Sequence, residues 1–399
     1  MKSKWKRIFA VLLSVVMCFN LCGCWNSREL NTLAFVTSMG FDKTDTGILM
    51  TVQVFNPRAI ASQKTVNETS VIVYTQEGKD ILEMLRRMIT QSPRKMNGTH
   101  LQTVIFGEDF AKDGISMVLD FFTREHQFRT DMYFAVAHGT TANNILKTQT
   151  KLETNPSNKL FSSLKSSDEI WAGNKAIKLI ELVNAIVSDG NNAAITGVEL
   201  TNPPQDKDNI NALQRMEEDP VVIKNLAVFN KDKFVGWINE DECKGYNYLT
   251  GNVSETLGSA ESKEVGKITM EVTHTDAKRR AAFVNGKPSI NVEIHVDANI
   301  ENVTGTYDIT KEENLNKIEK LAAEKVESQC LGSLIRTKEY GCDIYGFGEL
   351  IHRTYPQYWK TVKNNWSEEF RNLPVSVKVD YKILATGPQG NPFFEKENK

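Results

Sequence analysis

Ile290-Asn291-Val292-Glu293-Ile294-His295-Val296-Asp297-Ala298-Asn299-Ile300 alternates apolar and polar residues at every step. A strand turns successive side chains to opposite faces, so this stretch predicts one half-buried strand with its isoleucines and valines toward a core. Val375, Val377, Val379, Tyr381 and Ile383 repeat the pattern against Ser376, Lys378, Asp380 and Lys382, and Ile268, Met270 and Val272 repeat it over a shorter span. Between these strands Leu315, Ile318, Leu321, Ala322, Val326 and Leu331 recur at helical spacing. Thr310 and Glu313 stand at capping-box spacing before them. Upstream, Val221–Phe229 and Lys233–Ile238 flank Asn230-Lys231-Asp232 and predict a hairpin. Clean alternation marks an antiparallel sheet wet on one face. Residues 221–387 therefore read as an α+β region, followed by a polar tail over 388–399.

Working toward the N-terminus, residues 201–220 carry Pro203-Pro204, Pro220 and many Asp and Asn residues, which predicts a linker. Residues 24–200 read as a mixed α/β domain. Leu33–Phe41, Leu49–Phe55, Val71–Tyr74, Leu101–Phe106, Met132–Ala137 and Ala194–Leu200 are strand candidates. Ile81, Leu82, Leu85, Met88 and Ile89 predict a helix over Lys79–Gln91, and Ile115, Val118, Leu119 and Phe122 predict another. Residues 142–188 read as mostly helical, with Ile177, Ile180, Val183 and Val187 on one face. Strands alternating with helices predict a layered sheet. The fold class is thus α+β in the mixed sense: several domains, antiparallel and mixed sheets, helices packed on them.

The chain has 399 residues, with 48 Lys+Arg against 50 Asp+Glu. This balance excludes a strongly basic nucleic-acid binder, and nucleic acid is not an expected partner. Lys2, Lys4, Lys6 and Arg7 precede the apolar run Ile8–Phe19, the layout of a secretory signal peptide too short to span a bilayer comfortably. Leu21-Cys22-Gly23-Cys24 follows and resembles a bacterial lipobox, so residues 1–23 are expected to be removed and Cys24 to be lipidated. Burial of about 0.8 kcal/mol per CH₂ makes two or three acyl chains a stable anchor. Removal of the leader takes away four cations and no acid, carrying the net charge from −2 to −6. Cys243, Cys330 and Cys342 remain. Cys330 and Cys342 have the spacing to pair, while three buried thiols is the favoured reading.

No catalytic constellation is visible. The six His residues, His100, His126, His138, His274, His295 and His352, form no His-Glu-x-x-His or close ligand pair. There is no Gly-x-Ser-x-Gly elbow and no phosphate-binding loop, so catalytic residues, metal ligands and cofactors are all expected to be none. Lys278-Arg279-Arg280 reads as a solvated loop, with an anionic membrane surface as the second reading. Trp359, Val362, Trp366 and Phe370 fall on one face of a helix starting near Pro356. The favoured reading is a core stripe against the last strand, and the second is a partner-binding face.

The lipobox is followed by Trp25-Asn26-Ser27-Arg28-Glu29-Leu30, similar to the Gly-Cys-Trp-Asp-x-x-Glu start of the spore germinant receptor C-subunit family, Ger(x)C, with Asn26 in place of the usual Asp. Ala227-Val228-Phe229-Asn230-Lys231-Asp232-Lys233-Phe234-Val235-Gly236-Trp237 is a second match. Asp343-Ile344-Tyr345-Gly346-Phe347-Gly348, continuing through Pro356, Trp359 and Trp366, is a third. The resemblance implies a non-enzymatic lipoprotein, anchored through Cys24 on the outer, extracytoplasmic face of the spore inner membrane. Its implied partners are membrane-embedded A and B subunits of a nutrient receptor that triggers germination. It also implies three domains, which would divide 221–387 near 258–265. Trp25, Glu29, Trp359 and Trp366 are the candidate partner contacts, and no ligand-binding residue is identified. A lipoprotein that captures a small nutrient directly is the alternative, and it predicts a polar-lined cleft. A tethered hydrolase ranks last.

Overall fold

A computed structural model describes residues 4–6, 9, 32–56, 69–150, 153, 155–201, 220–284, 286–304 and 307–386. From residue 32 on, the described residues form two sheets and eleven α-helices. The first sheet contains β1 (Leu33–Lys43), β2 (Ile48–Phe55), β3 (Val71–Gly78), β4 (Lys95–Asn97), β5 (Thr103–Gly107), β6 (Tyr133–Ala137), β7 (Ala194–Leu200), β8 (Val221–Asn230) and β9 (Lys233–Ile238). Their order is β3-β2-β1-β5-β6-β7-β8-β9, with β4 paired to the start of β1. The centre, β1-β5-β6-β7, is parallel, and both flanks are antiparallel.

A parallel centre must be covered on both faces. Val104, Phe106, Phe134 and Val136 point into one core. That core lies under α1 (Ile81–Arg87), α2 (Glu108–Asp113), α3 (Ser116–Arg124) and α6 (Leu179–Val187). Ile105, Tyr133, Ala135 and Ala137 point into another, shared with α4 (Ala142–Lys147) and α5 (Pro156–Ile170). The period of two is intact, but both phases are apolar, so these strands read as plain apolar runs.

The second sheet runs β10 (Thr256–Ser262), β11 (Gly266–Val284), β12 (Lys287–Thr304), β13 (Val375–Ala385). Its first three strands are antiparallel and β13 is parallel to β12. The predicted core face of β12 is as expected, with Ile290 through Ile300 buried at every second residue. Against it lies α8 (Glu312–Tyr340), a 29-residue helix burying Ile318, Ala322, Val326, Cys330 and Leu334. Two α8 carboxylates also finish the sheet edge. Glu319 accepts the Ile383 N–H at 2.9 Å and Glu327 the Val379 N–H at 3.2 Å, so β13 offers fewer unpaired donors. α7 (Glu240–Thr250) connects the sheets, and α9 (Phe347–Thr354), α10 (Pro356–Val362) and α11 (Trp366–Asn372) complete the chain before β13.

Several expectations need correction. β8 and β9 belong to the first sheet, because Leu200 pairs with Val221 and Ala194 with Val228 across the expected 201–220 linker, most of which lies outside the described residues. The interval 258–265 is no boundary but the middle of a hairpin, with Ser262 opposite Gly266. Lys278-Arg279-Arg280 lies in β11 rather than in a loop. In α6 the buried face is Leu179, Leu182 and Ala185, and Ile180 and Val187 point outward. The capping box before α8 is absent: Lys311 is the N-cap, and the Thr310 hydroxyl donates to Asp308 instead.

Candidate functional site

Of the residues picked out by sequence, Cys24, Trp25 and Glu29 lie outside the described residues, as does the tail over 388–399. Among the described residues no helix is long and apolar enough to cross a membrane. Trp359 and Trp366 are in the core, 3% and 5% exposed, with ring centroids 5.1 Å apart. The partner-face reading of these two tryptophans is therefore withdrawn, because burial leaves no surface to present. The stripe survives a break, since α10 and α11 are joined by a 3₁₀ turn over Lys363–Asn365 while Val362 and Phe370 stay buried.

Asp343, at the head of the third sequence block, organises this region. Its carboxylate is fully buried and accepts four donors. Oδ1 takes the N–H of Tyr345 at 3.1 Å and of Phe347 at 3.2 Å. Oδ2 takes the N–H of Gly348 at 2.7 Å and the Trp366 indole N–H at 3.1 Å. Burial pushes its pKa up to about 6, and the four donors pull the other way. The same turn is tied to the first part of the chain. The Asn192 N–H donates to Asp343 O at 2.7 Å, the Asp343 N–H donates to Asn192 Oδ1 at 3.0 Å, and the Glu349 N–H donates to Gly190 O at 3.1 Å. Gly190 and Gly348 make the approach possible: a Cβ on Gly190 would stand 2.6 Å from Glu349 N. The block is a structural seam between the first sheet's connections and the helices over the second.

The chemistry available elsewhere is limited. Cys243, Cys330 and Cys342 are unpaired and buried, so the pairing of Cys330 with Cys342 is absent. Burial raises all three thiols, Cys342 to about 12, which removes their nucleophilic form. Among the described residues no group of three or more His, Cys, Asp or Glu is placed to hold a metal ion. The basic run is spent locally: Lys278 pairs with Asp276, Arg280 with Glu293, and Arg279 donates to Tyr345 O.

Two concave features among the described residues stand out. One is an apolar groove of about 270 Å³ between α1, β4 and the turn after α3, lined by Val36, Leu82, Leu85, Ile89, Met96 and Phe128. Leu82 and Ile89 are 38% and 57% exposed, and Met117 continues the apolar surface along α3. The groove sits where the chain enters the fold, because Leu33 of β1 pairs with Lys95 of β4. The other is a cavity of about 430 Å³ with mixed polar and apolar walls between α7, α8 and the second sheet, with Lys244, Tyr381 and Trp171 in its wall. Sequence reasoning missed both. Lys244 stands in Glu240-Asp241-Glu242-Cys243-Lys244, which reads as an ordinary solvated helix start, and Tyr381 reads as one more core residue of β13.

Residues 26–200 match the family described as "Spore germination protein N-terminal domain". Residues 224–387 match "Spore germination B3/GerAC like, C-terminal". The chain is 30% identical over 394 residues to "Spore germination protein KC" of Bacillus subtilis (strain 168), covering 96% of each chain. It is 24% identical to "Spore germination protein B3" of the same organism, over 97% of this chain and 99% of that one. Among solved structures, the "Crystal Structure of the GerBC protein" superposes with a TM-score of 0.56 at 18% identity, over 87% of this chain and 96% of the other, a likeness of fold.

Proposed function

We propose, from the premise that the chain belongs to the spore germination B3/GerAC-like family and so acts in spore germination, that it is the lipid-anchored, non-enzymatic C subunit of a nutrient germinant receptor. The observation that carries this reading is likeness along the whole length: both family segments lie in order, and a 30% identical relative covers 96% of the chain. The anchor is Cys24, acylated after loss of residues 1–23, and it holds the protein on the extracytoplasmic face of the spore inner membrane. The partners are membrane-embedded A and B subunits.

The groove beside β4 supports a place for those contacts. Cys24 precedes Leu33 by nine residues, a reach of at most about 30 Å. The exposed Leu82 and Ile89 are thus carried close to the bilayer, where an apolar face of an embedded subunit covers them. Trp25 and Glu29 lie on the same short tether.

Cys24→Ala tests the proposal. It is expected to move the chain from the membrane to the soluble fraction of disrupted spores and to slow nutrient-triggered germination. Full membrane retention together with normal germination would overturn the assigned role of Cys24. The second reading, direct capture of a nutrient, is favoured by one observation, the cavity with charged residues in its wall, and is separated from the first by binding measurements on the purified chain.

A further inference from the structure

The cavity around Lys244 is lined by this lysine, whose ammonium makes no ion pair among the described residues, and by one buried hydroxyl without a hydrogen-bond partner, that of Tyr381. Lys244 is 6% exposed. Its Nζ stands 3.6 Å from the centroid of the Trp171 ring, and among the described residues no carboxylate lies within 4 Å of it. Glu240 and Asp241 favour the charged ammonium through space but accept their hydrogen bonds from other groups. Glu240 accepts the Trp171 indole N–H at 2.9 Å, and Asp241 accepts from Lys325 at 3.1 Å and Gln329 at 2.7 Å. The second group is Tyr381, 3% exposed, whose hydroxyl has no hydrogen-bond partner among the described residues. It abuts Gly258, where a Cβ would stand 2.7 Å from Oη.

The buried Tyr381 hydroxyl costs free energy unless something completes it, and the Lys244 side chain is largely buried while its ammonium faces the cavity without an ion pair among the described residues. A π face only partly replaces the hydration of an ammonium. Both residues line one cavity, whose volume lies in the range of small-molecule sites. Its wall carries three lysines, Lys244, Lys267 and Lys325, against two acids, Glu240 and Asp241. A cation would meet Lys244 head on, whereas an anion would complete it.

We propose that this cavity binds a small molecule with an anionic head, a carboxylate or a phosphate, seated on the Lys244 ammonium, with the Tyr381 hydroxyl supplying a hydrogen bond to the rest of it. The site lies apart from the groove beside β4, and its occupancy is independent of the anchor and of the other subunits.

The test is calorimetric titration of the purified full-length chain in detergent with L-malate, glucose 6-phosphate, inorganic phosphate and, as the neutral control, glucose. Saturable binding of malate identifies a carboxylate ligand, and of either phosphate a phosphoryl ligand. Both support the site, provided glucose does not bind. Lys244→Met, which keeps the volume and removes the charge, should weaken binding about ten- to a hundredfold, as loss of a charge-assisted hydrogen bond does. Tyr381→Phe should weaken it about three- to tenfold, and Lys244→Arg should retain binding. If Lys244→Met does not fold, Tyr381→Phe decides. Absence of saturation by every anionic probe at about 10 mM, well above the millimolar range of weak specific binding, would overturn the proposal. So would equal affinity of the wild type and a folded Lys244→Met. Membrane release by Cys24→Ala reads the anchor alone, so the two proposals fail separately.

Discussion

Asp343→Asn is the sharpest probe of the seam. An asparagine has one acceptor oxygen and one amide nitrogen. In either orientation the amide faces two donors, Tyr345 and Phe347 in one case, Gly348 and Trp366 in the other. Two buried donors left unpaired cost about 2–6 kcal/mol together. The charge works in the opposite direction. The folded pKa is raised from 3.8 to about 6, so between those values the native state binds a proton that the unfolded state has released. Stability from this group is therefore full below about pH 4 and is lost as pH rises through 6, by about 3 kcal/mol in all. The asparagine does not titrate and is spared that loss. About 2 kcal/mol of the difference falls between pH 4.5 and 7, so the variant should be penalised more at pH 4.5 than at neutrality. Urea unfolding of both chains at the two pH values, with equal m-values, measures this, because every other titrating group cancels in the comparison. Parallel pH profiles, agreeing within about 0.5 kcal/mol, would refute the assignment of a buried, proton-binding carboxyl to Asp343.

Three other outcomes follow from the same structure. Gly190→Ala places a Cβ 2.6 Å from Glu349 N, and the seam must open; a loss of about 1–3 kcal/mol in unfolding free energy, read as a lower urea midpoint, is expected, and an unchanged midpoint would show that the approach is loose. Leu82→Asp with Ile89→Asp changes exposed groove residues, so stability should shift by less than about 1 kcal/mol for the pair while co-purification with the proposed membrane-embedded partners falls; undiminished co-purification would remove the groove as the proposed contact. Cys243, Cys330 and Cys342 are buried with raised pKa values, so a disulfide reagent at pH 8 should label them only as fast as the chain unfolds, and immediate labelling of the folded chain would contradict their burial.

What the sequence made legible depended on contrast. β12 and β13 could be read residue by residue because one face of their sheet is wet. β5 and β6 could be located but not oriented, since helices cover both faces and both phases are apolar. In α6 the run Leu179-Ile180-Glu181-Leu182-Val183-Asn184-Ala185-Ile186-Val187 is apolar on more than one side, and spacing alone selected the wrong face. The β8–β9 hairpin was found, but a hairpin looks the same whichever sheet it joins, and only the pairing of β7 with β8 decides that. Of the candidate sites, the tryptophan stripe was visible as periodicity, and burial then gave it to the core. Lys244 and Tyr381 were invisible because what distinguishes them is a missing partner, a property of three dimensions.

The seam shows why a chain would keep a buried carboxylate that lowers its stability at neutral pH. Four donors converge on Asp343 from a tight turn and an indole, at a point where Gly190 and Gly348 bring two backbones together. A neutral side chain of that size offers too few acceptor sites for all four, whereas an ionised carboxylate has about four lone-pair positions. The charge cost of about 3 kcal/mol is smaller than the cost of stranding even two or three of those donors at the upper end of about 1–3 kcal/mol each. The carboxylate is thus the less unfavourable solution to a geometric requirement, and that requirement comes from holding the 188–192 loop against α9. The third family-like block therefore reads as a brace, and the proposed ligand and partner contacts lie elsewhere, in the cavity around Lys244 and the groove around Leu82.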